Sequence, residues 1–133
     1  MNDQESDYSS DIQPEELAAL QLEACTFTVG DQTFSVALRY VKEITEISEI
    51  FPLPLTPSYV DGLVHIRGSA IPVISMGKIK NIREEQKKVK QLIVLDVGMD
   101  KIGIAVNNMP GLSAEFSGEL INVEEFFEAY RIV

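Results

Sequence analysis

Alternating apolar and polar positions after residue 24 predict a series of short β-strands. "TFTVGDQTFSVAL" has the pattern of a strand, a turn at Gly30-Asp31 and a second strand. "YVKEITEI" continues the alternation, and "QLIVLDVG" with "KIGIAVN" predicts a second hairpin that turns through residues 98–100. Two more apolar strands are expected over about 62–67 and 70–75. About seven strands without an alternating series of helices indicate small barrels or a sandwich rather than a parallel sheet.

Short helices are predicted at the two ends of the chain. Pro14, followed by two glutamates, suits the first turn of a helix over about 14–22. Asn122 and Glu125 have the spacing of a capping box at the start of a helix over 122–130. The predicted fold class is therefore all-β with short terminal helices.

Two segments between the strands are predicted to be irregular. "FPLPLTPSYVDG" cannot form regular sheet because proline has no backbone N–H to donate, so we expect a polyproline-like crossover with one helical turn at 57–60. "KIKNIREEQKKVK" is expected to be a charged connection, and it holds six of the eleven basic residues.

Length and composition predict one domain of a water-soluble, cytoplasmic protein. The chain has 133 residues, of which 45% are hydrophobic and 24% charged. No apolar run approaches the roughly 20 residues that span a bilayer, and a single cysteine, Cys25, excludes an internal disulfide. Residues 1–16 carry six acids and no base, which is −6 of the net charge of −10. We expect a disordered acidic tail over 1–13 and a single domain over 14–133.

The candidate chemistry argues against an enzyme. Cys25 and the lone histidine, His65, lie forty positions apart in separate apolar strands, which gives a Cys–His dyad little support. The sequence has no cluster spaced for metal binding and no glycine-rich phosphate loop, so no metal or cofactor is expected. An acidic chain also repels nucleic acid. The basic run over 78–90 supports a nucleic-acid or small-ligand barrel only as a remote alternative, since no stacking aromatics accompany it.

The stretch "VDGLVHIRGSAIPVISM" places an arginine and the histidine within an apolar run. In a strand, Leu63, His65 and Arg67 share one face, while glycines on both sides of the stretch permit sharp bends. Two interpretations of Arg67 stand equally. It reaches solvent or pairs with a carboxylate such as Glu43, or it lies at a groove edge as an interface hot spot.

These motifs resemble the chemotaxis coupling proteins called CheW. The family's core reads glycine, two aliphatics, Asn-Leu-Arg-Gly, aliphatics, Pro-Val-Ile-Asp-Leu, and this chain has "GLVHIRG" followed by "IPVISM". "FTVGDQTFSVALRYVKEI" is similar to the family's first hairpin and its Val-x-Glu-Ile signature, and "PLPLTPSYVDG" matches the approach to the core motif. "LIVLDVGMDKIGIAVNNM" is similar to the next hairpin. The likeness covers residues 25–109 and, more weakly, 118–130.

The resemblance implies a non-enzymatic adaptor of bacterial chemotaxis signalling. Proteins of this family fold as two SH3-like β-barrels with a shared hydrophobic interior. They couple the cytoplasmic tips of chemoreceptors to the regulatory domain of the histidine kinase CheA. By position, the implied receptor- and kinase-binding residues are Val41, Glu43, His65, Arg67 and Gly68.

The chain departs from the family pattern in side chains and in length. His65 stands for the family asparagine, and Ser75 and Asn107 stand for aspartates. After Met109, only "PGLSAEFS" occupies the place of further strand before "GELI". We therefore expect one barrel to be incomplete. An alternative function follows: a divergent member that binds one partner only, or self-associates through an open barrel edge.

Overall fold

The computed structural model describes residues 21–131. The acidic tail predicted over 1–13 lies outside the described residues. So does the helix predicted over 14–22, apart from Gln21, which is in a turn, and Leu22, which belongs to no helix.

A small sheet of four strands contains the first predicted hairpin, which is confirmed. Its strands lie in the order β8-β1-β2-β9, and β2 and β9 pair in parallel. The bounds are β1 Ala24–Val29, β2 Gln32–Ala37, β8 Gly111–Ser113 and β9 Glu119–Leu120. The two outer strands were not predicted, because segments of three and two residues are too short to show alternation.

A large sheet of five strands contains the remaining predicted strands. Its order is β3-β6-β7-β5-β4, and within this sheet, as far as residues 21–131 show it, only β5 and β7 pair in parallel. The bounds are β3 Val41–Ile47, β4 Val60–Ile66, β5 Ser69–Ile74, β6 Lys90–Val97 and β7 Asp100–Val106. The second predicted hairpin is confirmed as β6 and β7.

The expected all-β, CheW-like fold is confirmed. Of the two expected SH3-like lobes one was predicted to be incomplete, and neither sheet of the described residues is a closed barrel. The strand order of each sheet in residues 21–131 is open, with β8 and β9 at the margins of one and β3 and β4 at the margins of the other. Closure requires the outermost strands to pair with each other. Among residues 21–131, β8 does not pair with β9 and β3 does not pair with β4, so the incompleteness expected of one barrel applies to both sheets.

Three short helical segments connect or follow the strands in residues 21–131. A 3₁₀ turn, Leu38–Tyr40, joins β2 to β3. Helix α1, Met76–Lys80, was not predicted: its single turn begins after Ser75, whose Oγ accepts a hydrogen bond from the N–H of Lys78 at 3.1 Å. Helix α2, Val123–Tyr130, confirms the predicted C-terminal helix, and Oδ1 of Asn122 caps it by accepting the N–H of Glu125 at 3.0 Å.

Two hydrophobic cores meet at strand β6, which is buried on both faces. Ile93 and Leu95 belong to the main core, which packs the large sheet against the small sheet and α2. Leu92 and Val94 belong to a second core on the other face of the same sheet, with residues from β4 and β5. Burial on both faces explains why this strand reads as a continuous apolar run rather than an alternation.

The proline-rich crossover covers part of the β4 edge. Phe51 and Leu63 exchange two backbone hydrogen bonds of 2.8 Å each, forming an isolated bridge. Gly62 permits this approach, since a side chain there would overlap the carbonyl of Phe51. The prediction that this segment is not regular sheet is confirmed for 52–59 and wrong for 60–62, which belong to β4. At the end of the crossover, the N–H of Val60 donates to the carbonyl of Pro57 at 3.0 Å and closes a turn.

Candidate functional site

Arg67 lies at the tip of the hairpin formed by β4 and β5. Ile66 pairs with Ser69, so that Arg67 and Gly68 alone form the turn, with φ of 50° and 82°. Positive φ at both central residues is the signature of a type I′ turn. The prediction that Arg67 continues the strand face of Leu63 and His65 is therefore wrong: the strand ends one residue earlier.

A left-handed conformation is unusual for arginine. The β-carbon crowds the carbonyl in this region, which costs about 1–2 kcal/mol for residues other than glycine, asparagine and aspartate. Asn-Gly is the favoured pair for such a turn, and this chain has Arg-Gly. Position 67 thus carries a residue that the turn itself does not favour.

Glu43 on β3 holds the guanidinium. The Nε–H of Arg67 donates to Oε1 of Glu43 at 3.0 Å, with the arginine side chain 78% exposed and the glutamate 21% exposed. The interpretation that Arg67 pairs with Glu43 is therefore confirmed, and the side chain is also accessible to solvent. Its role as an interface hot spot stays a prediction. The guanidinium has four further N–H donors beside Nε–H.

The second oxygen of Glu43 is buried. Oε2 has no hydrogen-bond partner among residues 21–131. The carboxylate is placed by a bulge in the pairing of β3 with β6, between Val41 and Glu43, and bulges re-aim side chains at sheet edges. Val41 is half-buried and packs against the main core, whereas Glu43 turns to Arg67.

His65 is exposed on β4, two residues before Arg67. Its ring meets that of Phe51 edge to face, with centroids 5.8 Å apart and planes at 69°. Phe51 is 48% exposed and was not among the predicted site residues. No local signal could have found it, since the contact depends on where the proline-rich crossover lands.

Gly68 completes the hairpin tip. It is exposed, and a β-carbon added there would meet no atom within 4 Å. The glycine therefore serves the turn's φ of 82° rather than a close approach of backbone. Of the five predicted residues, Glu43 and Arg67 are in direct contact, and His65 and Gly68 lie on the same hairpin.

Metal-binding groups, the thiol of Cys25 and the length of the helices also bear on the function of residues 21–131. No group of three or more His, Cys, Asp or Glu side chains there could hold a metal ion. Cys25 is fully buried, and burial raises the pKa of its thiol to about 11. No helix within this range has the length and apolar character needed to cross a membrane.

Two residues of the basic run form ion pairs. Lys80 Nζ lies 2.7 Å from Glu119 Oε2, and Lys78 Nζ lies 3.3 Å from Asp61 Oδ1. Burial raises the pKa of Glu84, which lies in the same connection, with Lys90 opposing and Asp61 adding to the effect. Lysines of the basic run are thus paired with carboxylates of the same chain.

The fold is a two-sheet β domain, and its β4–β5 hairpin exposes an arginine, Arg67, that is held by Glu43. A family model described as CheW-like domain matches residues 23–114, and the chain belongs to this family.

Two named relatives and one solved structure are also described as CheW proteins. The chain is 28% identical over 94 residues to "Chemotaxis protein CheW" of Treponema pallidum, covering 67% of this chain and 55% of that protein. It is 28% identical over 112 residues to the protein of the same name from Thermotoga maritima, covering 83% and 74%. The crystal structure of the scaffolding protein TtCheW from Thermoanaerobacter tengcongensis superposes with a TM-score of 0.62 at 22% identity, covering 69% and 60%. The match therefore spans little more than half of the first relative's length.

Proposed function

We propose that this chain is a scaffold of bacterial chemotaxis signalling that couples the cytoplasmic tips of chemoreceptors to the regulatory domain of the histidine kinase CheA. Membership of the CheW-like family and the names of its relatives support this proposal. The chain acts without chemistry of its own, in the cytoplasm, at membrane-associated receptor arrays. Its contacts are Arg67, Glu43, His65, Gly68 and, through the packing of β3, Val41.

The observation that carries the proposal is the presentation of Arg67. The guanidinium is 78% exposed, lies at the tip of a two-residue turn and is held at 3.0 Å by Glu43. A long side chain that is already held in the free protein loses less conformational entropy when a partner binds. Arginine is also among the residue types that supply most of the binding energy at protein interfaces.

The His65–Phe51 pair supplies apolar surface beside this charge. Two exposed rings in edge contact present a rigid face, and aromatic residues are enriched at interface cores. We infer that a partner places an apolar side chain against the rings and a carboxylate or carbonyl against Arg67. An acidic partner side chain suits the four remaining guanidinium donors.

Calorimetric titration with a receptor-tip fragment, and separately with the CheA regulatory domain, tests the proposal. Arg67→Asn removes the guanidinium and keeps a residue that the turn accepts. Receptor affinity is expected to fall by about 30-fold, which corresponds to about 2 kcal/mol.

Arg83→Asn is the matched control, because Arg83 is also an exposed arginine but lies near the β1–β2 turn. It makes the same change of charge and is expected to leave the affinity unchanged. Equal affinities for the wild-type chain and Arg67→Asn would reject the assigned surface. Absence of binding to either partner by the wild-type chain would reject the coupling function.

A further inference from the structure

The outer edge of β8 differs from the other three sheet edges of the described residues. Strand β3 carries Lys42, Glu43 and Glu46, and β9 carries Glu119, which is paired with Lys80. Strand β4 carries Asp61 and is partly covered by the Phe51 bridge. Charges and cover are the usual protection of a sheet edge against further strands, and β8 (Gly111–Ser113) has no charged residue.

The side chain at the centre of β8 lies at the open margin of the main core. Leu112 pairs with Cys25, and directly opposite residues of an antiparallel pair share a face of the sheet. Cys25 is fully buried in the main core, whereas Leu112 is 48% exposed. The face of the small sheet that packs on the main core therefore extends to β8, where the side chain of Leu112 is only half-covered.

Further apolar surface flanks the strand. Met109 is 69% exposed and Phe116 is 43% exposed. Leu22, 37% exposed, adjoins Glu23, whose N–H donates to the carbonyl of Ser113 at 2.9 Å. A strand added beyond β8 would cover the half-exposed Leu112 and extend the four-stranded sheet.

We propose that a second copy of this chain occupies this edge, with β8 of one copy pairing antiparallel to β8 of the other about a twofold axis near Leu112. A twofold interface brings residues near its axis against their own copies, so a charge close to the axis meets a like charge. In a chain of net charge −10, residues 108–114 carry no charge at all. This edge can therefore meet its own copy without that repulsion.

The geometry of the edge permits the pairing. The neighbours of Leu112 on β8 are Gly111 and Ser113, and a side chain added at Gly111 would meet no atom within 4 Å. Because β8 has only three residues, the interface is small and the dimer is weak, forming as concentration rises. This inference is independent of the proposed contacts of Arg67.

Sedimentation velocity of the full chain over about a hundredfold range of concentration tests the proposal. The wild-type chain is expected to pass from monomer to dimer. Gly111→Glu places a charge on the edge, where it would face its own copy. The glutamate side chain has open space in the monomer. The dissociation constant of the dimer is expected to rise by at least about tenfold in this variant.

Two further variants make the test specific. Leu112→Glu is expected to weaken the dimer similarly, with thermal melts to check that it still folds. Leu120→Glu is the matched control, since Leu120 is 55% exposed on β9, the opposite margin of the same sheet, and it should leave the dimer unchanged. A chain that stays monomeric throughout overturns the proposal. So does a dimer that Gly111→Glu leaves as stable as before.

Discussion

Arg67 and Glu43 lie 3.0 Å apart although they belong to opposite margins of the large sheet. Glu43 is on β3, one outermost strand, and Arg67 directly follows β4, the other. The sheet must therefore curl until its margins approach, and the second core, with Val64 and Leu92, fills the inside of that curl. Two side chains here bridge a gap that no strand pairing closes.

The turn at Arg67 predicts a difference between two substitutions that both remove the ion pair. Arg67→Asn places a residue that adopts positive φ readily, while Arg67→Ala keeps the strained conformation at φ 50°. The asparagine variant is expected to exceed the alanine variant in free energy of unfolding by about 1 kcal/mol. Urea denaturation of both variants measures this difference. Equal stability would mean that the turn is not strained at this residue.

Glu43 is predicted to act through Arg67. The pair is largely solvent-exposed on the arginine side, so Glu43→Gln should lower the free energy of unfolding by less than about 1 kcal/mol. Its effect on receptor-tip binding should be larger, because an unheld guanidinium must be ordered on binding.

A double-mutant cycle separates the two roles. If Glu43 only positions Arg67, then Glu43→Gln changes affinity in the wild-type chain and has little further effect in Arg67→Asn. Additive effects of the two substitutions on the free energy of binding would show that Glu43 contacts the partner independently. Calorimetry with the same receptor fragment supplies all four affinities.

Substitution of Gly118 or Gly98 by alanine is predicted to lower the free energy of unfolding by different amounts, because only one of the two added β-carbons would clash. Both have positive φ, 69° and 63°. A side chain at Gly118 would overlap the carbonyl oxygen of Thr33, whereas at Gly98 it would meet nothing within 4 Å. Gly98→Ala should therefore cost about 1 kcal/mol of unfolding free energy and Gly118→Ala at least about 3 kcal/mol. Chemical denaturation of both variants compares them, and similar losses would contradict the close approach at Thr33.

Cys25 predicts a loss of stability at alkaline pH. Its thiol has a pKa of about 11 in the folded chain, raised by burial from 9.0, so the folded state holds the proton more tightly. This contribution is fully present below pH 9 and is lost as pH rises towards 11. The wild-type chain should therefore lose more unfolding free energy over this interval than Cys25→Ala. Parallel pH dependences of the two chains would refute a buried thiol.

Much of the strand framework was predictable because its signals are local. Strands β1, β2 and β7 show alternation in the sequence itself, β6 shows a continuous apolar run, and turn residues separate the two strands of each hairpin. The strands β8 and β9 were missed because they exist only through pairing with β1 and β2, which no local pattern encodes. Helix α1 has one turn, and the capping serine before it was its main signal.

The candidate site was predicted in its residues more than in its geometry. Arg67 and Glu43 were named as possible partners, and the structure brings them together. The turn was placed one residue late because Arg-Gly is not a favoured type I′ pair, so the apolar alternation seemed to continue through Arg67. Phe51 was missed because its contact with His65 joins two segments through the tertiary fold.

The bridge between Phe51 and Leu63 has a consequence for how this chain behaves when concentrated. Prolines at 52, 54 and 57 prevent the crossover from lengthening into a strand, and yet its first residue already occupies hydrogen-bonding groups of β4. The β4 margin of the large sheet is thereby covered at Leu63 by a segment that cannot form a longer strand. A further strand, the unit by which fibrils grow at a sheet edge, finds the backbone groups of Leu63 already bonded at this point.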